Sequence, residues 1–489
     1  MPVREYDQNK NYLFPPCLND WITEDHCARV FSEIVDHIDL SGLCEIKPDG
    51  SPRFDPRMMA KVLLWGYAWG VRASRKIEEH LHSDVVFMWL AGRQTPDFRT
   101  ICDFRRTNRD ALERIFAEVV VMARALGMAQ LGLVALDGTK IRASAGLNSF
   151  KRVKHWREAL VEAHQKVAEI LAEAEKLDQT EEGKLGHQRS VVALPDELAT
   201  VERRVAKITA LLEYLPKDID EETRVSSTDP DARFMHTSIG SMPAFTAELA
   251  VTADQIIVGS RLTSEPVDNN QLQPGLEQVE RICGEKPTRV VADHGFYGGE
   301  NLKWLETRKI EGYIPECSEK NIGKDLRAHP EFYDKSKFQY DGAQDCYTCP
   351  AGEKLKPVAK LTQDGKYSHR ESDVYRTEPG TCLKCPLKSK CTNTKQRAGR
   401  SVSRGEYDAE LTRMRARLGT KEGRATYGKR KVIVEPTIGQ LKVVGGMRQF
   451  LLRGTTKAWI EFLWSCTAHS VLKITRRVVD GTVKLAWTG

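Results

Sequence analysis

Two aspartates and a glutamate offer the first chemistry in this sequence. Asp137 closes the apolar run Leu131-Gly-Leu-Val-Ala-Leu136, and Asp293 closes a second run, Arg289-Val-Val-Ala292. Short apolar runs bounded by turn residues read as buried strands, so each aspartate is expected at the end of a strand. Ligands bind at such a rim in open α/β sheets, and a carboxylate held there is rigidly aimed. Burying it is costly unless a cation pairs with it, and a divalent ion is the strongest such partner. Glu435 follows on the helix-patterned stretch Lys429–Val444, amid Arg430, Lys431 and Lys442. Two or three carboxylates gathered at one point suit Mg2+, a hard ion that takes oxygen ligands and keeps waters. Two such ions can activate a nucleophile and stabilise the leaving oxygen in phosphoryl transfer. Taken singly, either aspartate can equally cap the turn that follows it.

The cysteines suggest a second metal. Five of the twelve crowd together as Cys346-x2-Cys349, Cys382-x2-Cys385 and, after five more residues, Cys391. Cys17, Cys27, Cys44, Cys102, Cys283, Cys317 and Cys466 are scattered singly. The N-terminus has no secretory pattern, so disulfides are the poorer reading and a tetrahedral site the better one. Cys346, Cys349, Cys382 and Cys385 have the pair spacing of one structural Zn2+, with Cys391 able to replace a ligand. The alternative is a set of reduced, unliganded thiols.

These side chains must be positioned by a sizeable fold. The chain has 489 residues, 40% hydrophobic and 29% charged, which excludes disorder as its main state. No apolar run approaches the length of a membrane span, and the protein is expected to stay soluble in the cytoplasm. Helical spacing fills residues 1–128: a helix capped by Thr23, then Arg57–Val71, Ser74–His82, a short helix starting at Thr95-Pro96 and a long one over Asp110–Met128. In the short helix, Ile101 and Phe104 are expected inside and Arg99, Arg105 and Arg106 outside, a plausible DNA-binding face. Strand patterns begin at Leu131 and return at Pro243–Ala253, Gln255–Leu262, Arg289–Asp293 and Gly312–Pro315. Lys154–Leu177 and Pro195–Leu215 read as a helical hairpin inserted at about 150–230. The cysteine segment fills 318–403, and two helices close the chain. Between Leu411 and Lys457 stand twelve Lys/Arg and two acids, a local +10 in a chain of +6 that leaves −4 elsewhere. Such a block is the footprint of a polyanion partner or a solvated basic helix face.

The ordered set Asp137-Gly-Thr-Lys140, Asp293-His-Gly-Phe-Tyr297, Tyr427-x2-Arg430-Lys431-x3-Glu435-Pro436-x2-Gly439-x2-Lys442 and Arg448-Gln-Phe-Leu-Leu-Arg453 closely resembles the DDE transposases of the IS5-like and IS1182-like insertion sequences. The IS1182 group is the nearer match, and the resemblance covers nearly the whole chain. It implies an α/β fold: an RNase H-like core preceded by an all-helical N-terminal domain. The domains expected are 1–128, 129–317 with the hairpin, 318–403, and 404–489 with the glutamate helix. It implies Asp137, Asp293 and Glu435 as a catalytic triad holding two Mg2+ or Mn2+ ions. It also implies double-stranded DNA, both terminal inverted repeats and target, as the partner of a homodimer. Tyr427, Arg430 or Lys431, Lys442, Arg448 and Arg453 are expected at the DNA, with Arg99, Arg105 and Arg106 from the N-terminal domain. One departure is Phe245-Thr-Ala-Glu248, where relatives usually show tyrosine-asparagine-x-glutamine. A non-catalytic DNA-binding derivative and a nuclease that cuts without joining are the rival classes.

Overall fold

The computed structural model describes residues 17–43, 54–185, 196–237, 240–317, 332–365, 368–393, 397 and 399–485. Cys44, most of the hairpin's linker and the start of the cysteine segment lie outside the described residues.

The N-terminal region is helical: α1 (Leu18–Trp21), α2 (Cys27–Asp36), α3 (Pro56–Ala68), α4 (Ser74–Ser83), α5 (Val85–Leu90), α6 (Phe98–Thr107) and α7 (Arg109–Ala125). Two caps differ from expectation. His26, not Thr23, caps α2, its Nδ1 accepting from Ala28 N at 3.1 Å. Thr95 and Pro96 precede α6, and Asp97 caps it by accepting from Thr100 N at 2.7 Å. A carboxylate suits the free N–H groups and positive dipole end of a first turn. Arg105 is the larger correction. Arg99 and Arg106 are exposed, but Arg105 is 3% exposed and donates to Arg72 O at 2.9 Å and Tyr67 Oη at 3.3 Å. It lies four residues after buried Ile101, so helical spacing puts both on the inward stripe, while Phe104 is only half-buried.

A mixed sheet follows. β1 (Val134–Arg142) leads to the hairpin: β2 (Phe150–Arg152), α8 (Val153–Leu185), α9 (Asp196–Tyr214) and β3 (Arg224–Ser226). β2 pairs with β3, and Val153, Trp156, Ile208, Leu211 and Val225 give this insertion its own small core. β4 (Arg233–Thr237), β5 (Gly240–Thr252), β6 (Ile257–Thr263), α10 (Leu272–Cys283), β7 (Arg289–Ala292), α11 (Gly299–Thr307) and β8 (Glu311–Tyr313) complete the sheet. β5 runs antiparallel to β1 along its whole length, and β4 and β6 share β5's other edge. β7 is parallel to β1, and β8 to β7.

This pairing corrects the place of the first acid. Asp137 is not at the end of β1, because β5 carries the strand on to Arg142. It stands where the ladder with β7 stops, after Val134↔Val290 and Leu136↔Ala292. The next residues on the two parallel strands are Asp137 and Asp293.

The cysteine segment is an antiparallel meander of β9 (Gln339–Asp341), β10 (Cys346–Thr348), β11 (Lys354–Gly365), β12 (Ser368–Arg376) and β13 (Ser401–Gly405). Its core is Phe338, Tyr347, Leu355, Tyr375 and Val402. Then come α12 (Asp408–Gly419), α13 (Lys421–Gly428), α14 (Arg430–Val443) and α15 (Thr455–Val479). α15 is buried on nearly all sides, packing on α2, α3 and α7 and against β6. The N-terminal helices, the sheet and α15 therefore share one continuous hydrophobic core, with Tyr67 and Trp464 stacked at 6.4 Å. On α15, Thr467 and Thr475 donate to carbonyls four residues back, whereas Trp464 Nε1 and Ser465 Oγ are buried without a partner among the described residues. Among the described residues, no helix is long and apolar enough to cross a membrane.

Candidate active site

Asp137 projects from β1 and is 7% exposed. Burial pushes its carboxyl up to about 6, with Asp293 and Asp268 adding to the shift and Arg430 opposing it. Asp293, just past β7, accepts from Gly295 N at 2.8 Å and so caps the single turn His294–Phe296. It thus does what a strand-end aspartate does by default while also facing Asp137. Glu435 stands half-exposed on α14. Arg430, one turn earlier, joins the two elements: Nη2 donates to Asp137 Oδ2 at 2.8 Å and Nη1 to Glu435 Oε1 at 3.0 Å. Arg430 is the basic residue that reaches the acids, while Lys431 beside it lies on the exposed side of α14.

Gln255, which braces the helix beside Glu435, is not singled out by the sequence. Pro436 lies inside α14 and has no N–H to give to Val432 O. Gln255 Nε2 donates to that carbonyl instead, at 2.9 Å. Gln255 sits at φ +61 in the β5–β6 turn, and its own oxygen atoms take Lys473 Nζ at 2.5 Å and His469 Nε2 at 3.1 Å, both from α15. The turn thereby fixes the helix that carries the glutamate.

Near Asp137 lies a second carboxylate pair. Glu248 on β5 is paired with Gly138 across the ladder, and it is buried. A Cβ on Gly138 would stand 2.7 Å from Glu248 Oε1 and 3.1 Å from Asp268 Oδ1, so a side chain there would have to displace these acids. Lys140 Nζ donates to Asp268 Oδ1 at 3.0 Å and to Thr246 Oγ1 at 2.8 Å. Burial and the neighbouring Asp268 push the Glu248 carboxyl well above the usual range, and Glu248 Oε1 has no hydrogen-bond partner. Phe245-Thr-Ala-Glu248 was legible as a departure, but nothing in sequence joined it to Asp268.

The remaining basic residues divide by burial. Arg448 and Arg453 are exposed, Arg453 Nε donating to Ser144 O at 3.1 Å. Lys442 is half-buried; its Nζ donates to Lys140 O at 3.1 Å, and burial pushes its pKa down. Tyr427 is buried at the end of α13. Among the cysteines, Cys349, Cys382, Cys385 and Cys391 surround one cavity, whereas Cys346 is buried in β10 and does not line it. Among the described residues, no three His, Cys, Asp or Glu side chains already meet in metal-binding geometry.

Residues 348–475 match the family model of a transposase DDE domain, and residues 16–107 match that of a transposase domain, DUF772. The first match holds Glu435, Arg430 and the basic block but neither aspartate; the second holds helices α1 to α6. Together they support a DDE transposase. No curated protein and no solved structure matches the chain.

Proposed function

We propose that this chain is the transposase of an IS1182-like insertion sequence. It binds the element's terminal inverted repeats as a homodimer, hydrolyses DNA there, and joins the freed 3′-hydroxyl to target DNA. The observation that carries the reading is the register of β1 and β7, which sets Asp137 beside Asp293, with Glu435 tied to Asp137 through Arg430. The strand order β6-β5-β1-β7-β8, with β5 reversed against β1 and β7 and β8 parallel to it, supports an RNase H-like core.

Asp137, Asp293 and Glu435 would hold the Mg2+ or Mn2+ ions. Their oxygen donors suit a hard cation, and burial raises the Asp137 carboxyl, with Asp293 close enough to add to that rise. Such an ion, when bound, lowers the pKa of an attacking water and polarises the phosphoryl group. Arg430 keeps the carboxylates of β1 and α14 at a fixed separation. Lys431, Arg448 and Arg453 lie exposed in the chain around Glu435 and would take DNA phosphates, with Arg99 and Arg106 forming a second basic surface. Arg105 and Tyr427, both buried, serve the fold.

A plasmid carrying the gene with its flanking DNA tests this reading. With Mg2+, the protein should cut at the element's ends. Asp137→Ala, Asp293→Ala and Glu435→Ala should each abolish cutting while retaining DNA binding in a gel shift. Near-normal cutting by any one variant removes that residue from the triad. Binding of the ends by the unaltered protein, with no cutting, would instead favour a transposase-derived DNA-binding protein.

A further inference from the structure

We propose that Cys349, Cys382, Cys385 and Cys391 bind one structural Zn2+ that closes the β9–β13 domain, and that Cys346 is not a ligand. The spacing of the pairs alone points to Cys346; the fold does not. Cys346 lies within β10, opposite Asp341, and Cys349 follows three positions later. Side chains alternate along a strand, so Cys346 points away from the face of its neighbour Tyr347. Tyr347 belongs to the small core, and Cys349, one residue past the strand, packs against that core.

The four remaining sulfurs come from tight turns. Gly352 N closes a turn onto Cys349 O at 2.8 Å, with Gly352 at φ +83. Cys382 lies within the single-turn helix Thr381–Leu383, and Cys385 follows two residues past its end. Cys391 ends the next turn, its N–H bonded to Lys388 O at 3.0 Å. The returning chain passes close over Cys382, where a Cβ on Gly399 would lie 2.7 Å from Sγ. The cavity between them has a volume of about 30 Å³, room enough for a small ion. Water there would need two to four polar partners, and thiols are weak ones.

The domain has a reason to need the ion. Its core is five residues, Phe338, Tyr347, Leu355, Tyr375 and Val402, in a segment of the size that usually requires a metal or disulfide staple. Four sulfur ligands in tetrahedral array select Zn2+ or iron, and a closed set of four leaves no position for substrate. The sulfurs as they stand do not converge; binding would draw them in, form four Zn–S bonds and release the thiol protons to solvent.

The test uses the full chain purified without added metal. Elemental analysis should find about one equivalent of zinc. Exchange for Co2+ should give the thiolate-to-cobalt charge-transfer and tetrahedral d–d bands of an S4 site. Cys346→Ser should keep both the zinc and the cobalt spectrum, and Cys391→Ser should lose at least nine-tenths of the metal. Cys391→His, a ligand exchange less apt to unfold the domain, should retain metal with a shifted cobalt spectrum. Zinc lost from Cys346→Ser but kept by Cys391→Ser overturns the assignment. So does iron in place of zinc, or metal-free protein whose four thiols are either free or paired as disulfides. None of these readouts depends on DNA cleavage, so the zinc site and the transposase reading fail independently.

Discussion

Replacing Arg72 with methionine should weaken the protein at the junction between its N-terminal helices and the loop behind the active site. Arg72 is 7% exposed and Glu461, on α15, is 0% exposed; their Nη1 and Oε1 atoms are 2.6 Å apart. The same guanidinium donates to Gly446 O at 2.6 Å and Gln449 O at 3.0 Å. That loop extends β1, since Arg142 N donates to Arg448 O and Phe450 N to Arg142 O. Removing one partner of a buried ion pair costs roughly 3–5 kcal/mol, because the other charge stays buried. Glu461 would keep donors at Leu451 N (2.9 Å) and Leu452 N (3.0 Å), which favours the lower end of that range. At about 2.1 cal/mol/K per residue, the unfolding entropy of 489 residues is roughly 1 kcal/mol/K, so melting as one unit gives a Tm drop of about 3 °C. Circular dichroism melts at neutral pH measure it, with Lys76→Ala as the control, since its exposed pair with Glu79 should contribute nothing measurable. Arg72→Met combined with Glu461→Met should cost clearly less than the two single changes summed. A single variant melting within 1 °C of the parent, or strict additivity in the double, would refute the ion pair as the anchor.

Three further outcomes follow from the same geometry. His469 is buried, and burial with the nearby Lys473 holds its ring down to about 4. Because the folded value lies below the unfolded one near 6.5, stability is full above pH 6.5 and falls as the pH drops toward 4, by roughly 3 kcal/mol. His469→Gln should flatten that acid limb in denaturant titrations, and an unchanged limb would place the acid sensitivity elsewhere. Gly138→Ala should drive Glu248 and Asp268 apart, lowering cleavage at least tenfold in a plasmid assay while costing roughly 1–3 kcal/mol of stability; normal cleavage would show that the second carboxylate pair does not position Asp137. Arg448→Ala should weaken binding to end DNA and random DNA alike, with the log–log salt slope shallower by about one, because phosphate contacts carry charge but no base information; a loss confined to end DNA would argue for base contact instead.

What the sequence discloses here depends on how local the cause is. The strands of Asp137 and Asp293 are announced by apolar runs, and α14 by its spacing, so the elements carrying all three acids are legible. Their meeting is not, because it depends on a three-residue parallel register between β1 and β7, separated by the hairpin, β4 to β6 and α10. Arg105 fails for a different reason. It was read from residue type, charge outside, where periodicity contradicts type: Arg105 shares the stripe of Ile101. When the two signals disagree, geometry decides, and the arginine finds buried carbonyl and hydroxyl partners.

Pro436 shows how a local defect can disclose a distant contact. A proline directly after Glu435 makes one backbone acceptor, Val432 O, unavailable to the helix's own ladder. A carbonyl left without its helical donor must find one elsewhere, and Gln255 supplies it from a turn that only a positive φ allows. The same turn is held by Lys473 and His469, so α15, which packs on the N-terminal helices, also braces the helix bearing Glu435. The N-terminal helices are therefore linked to α14 through α15 and Gln255, and to the loop that follows α14 through Arg72. For a transposase, which must couple DNA held by one region to chemistry in another, a buried ion pair and a more exposed hydrogen bond along one continuous core give a rigid connection.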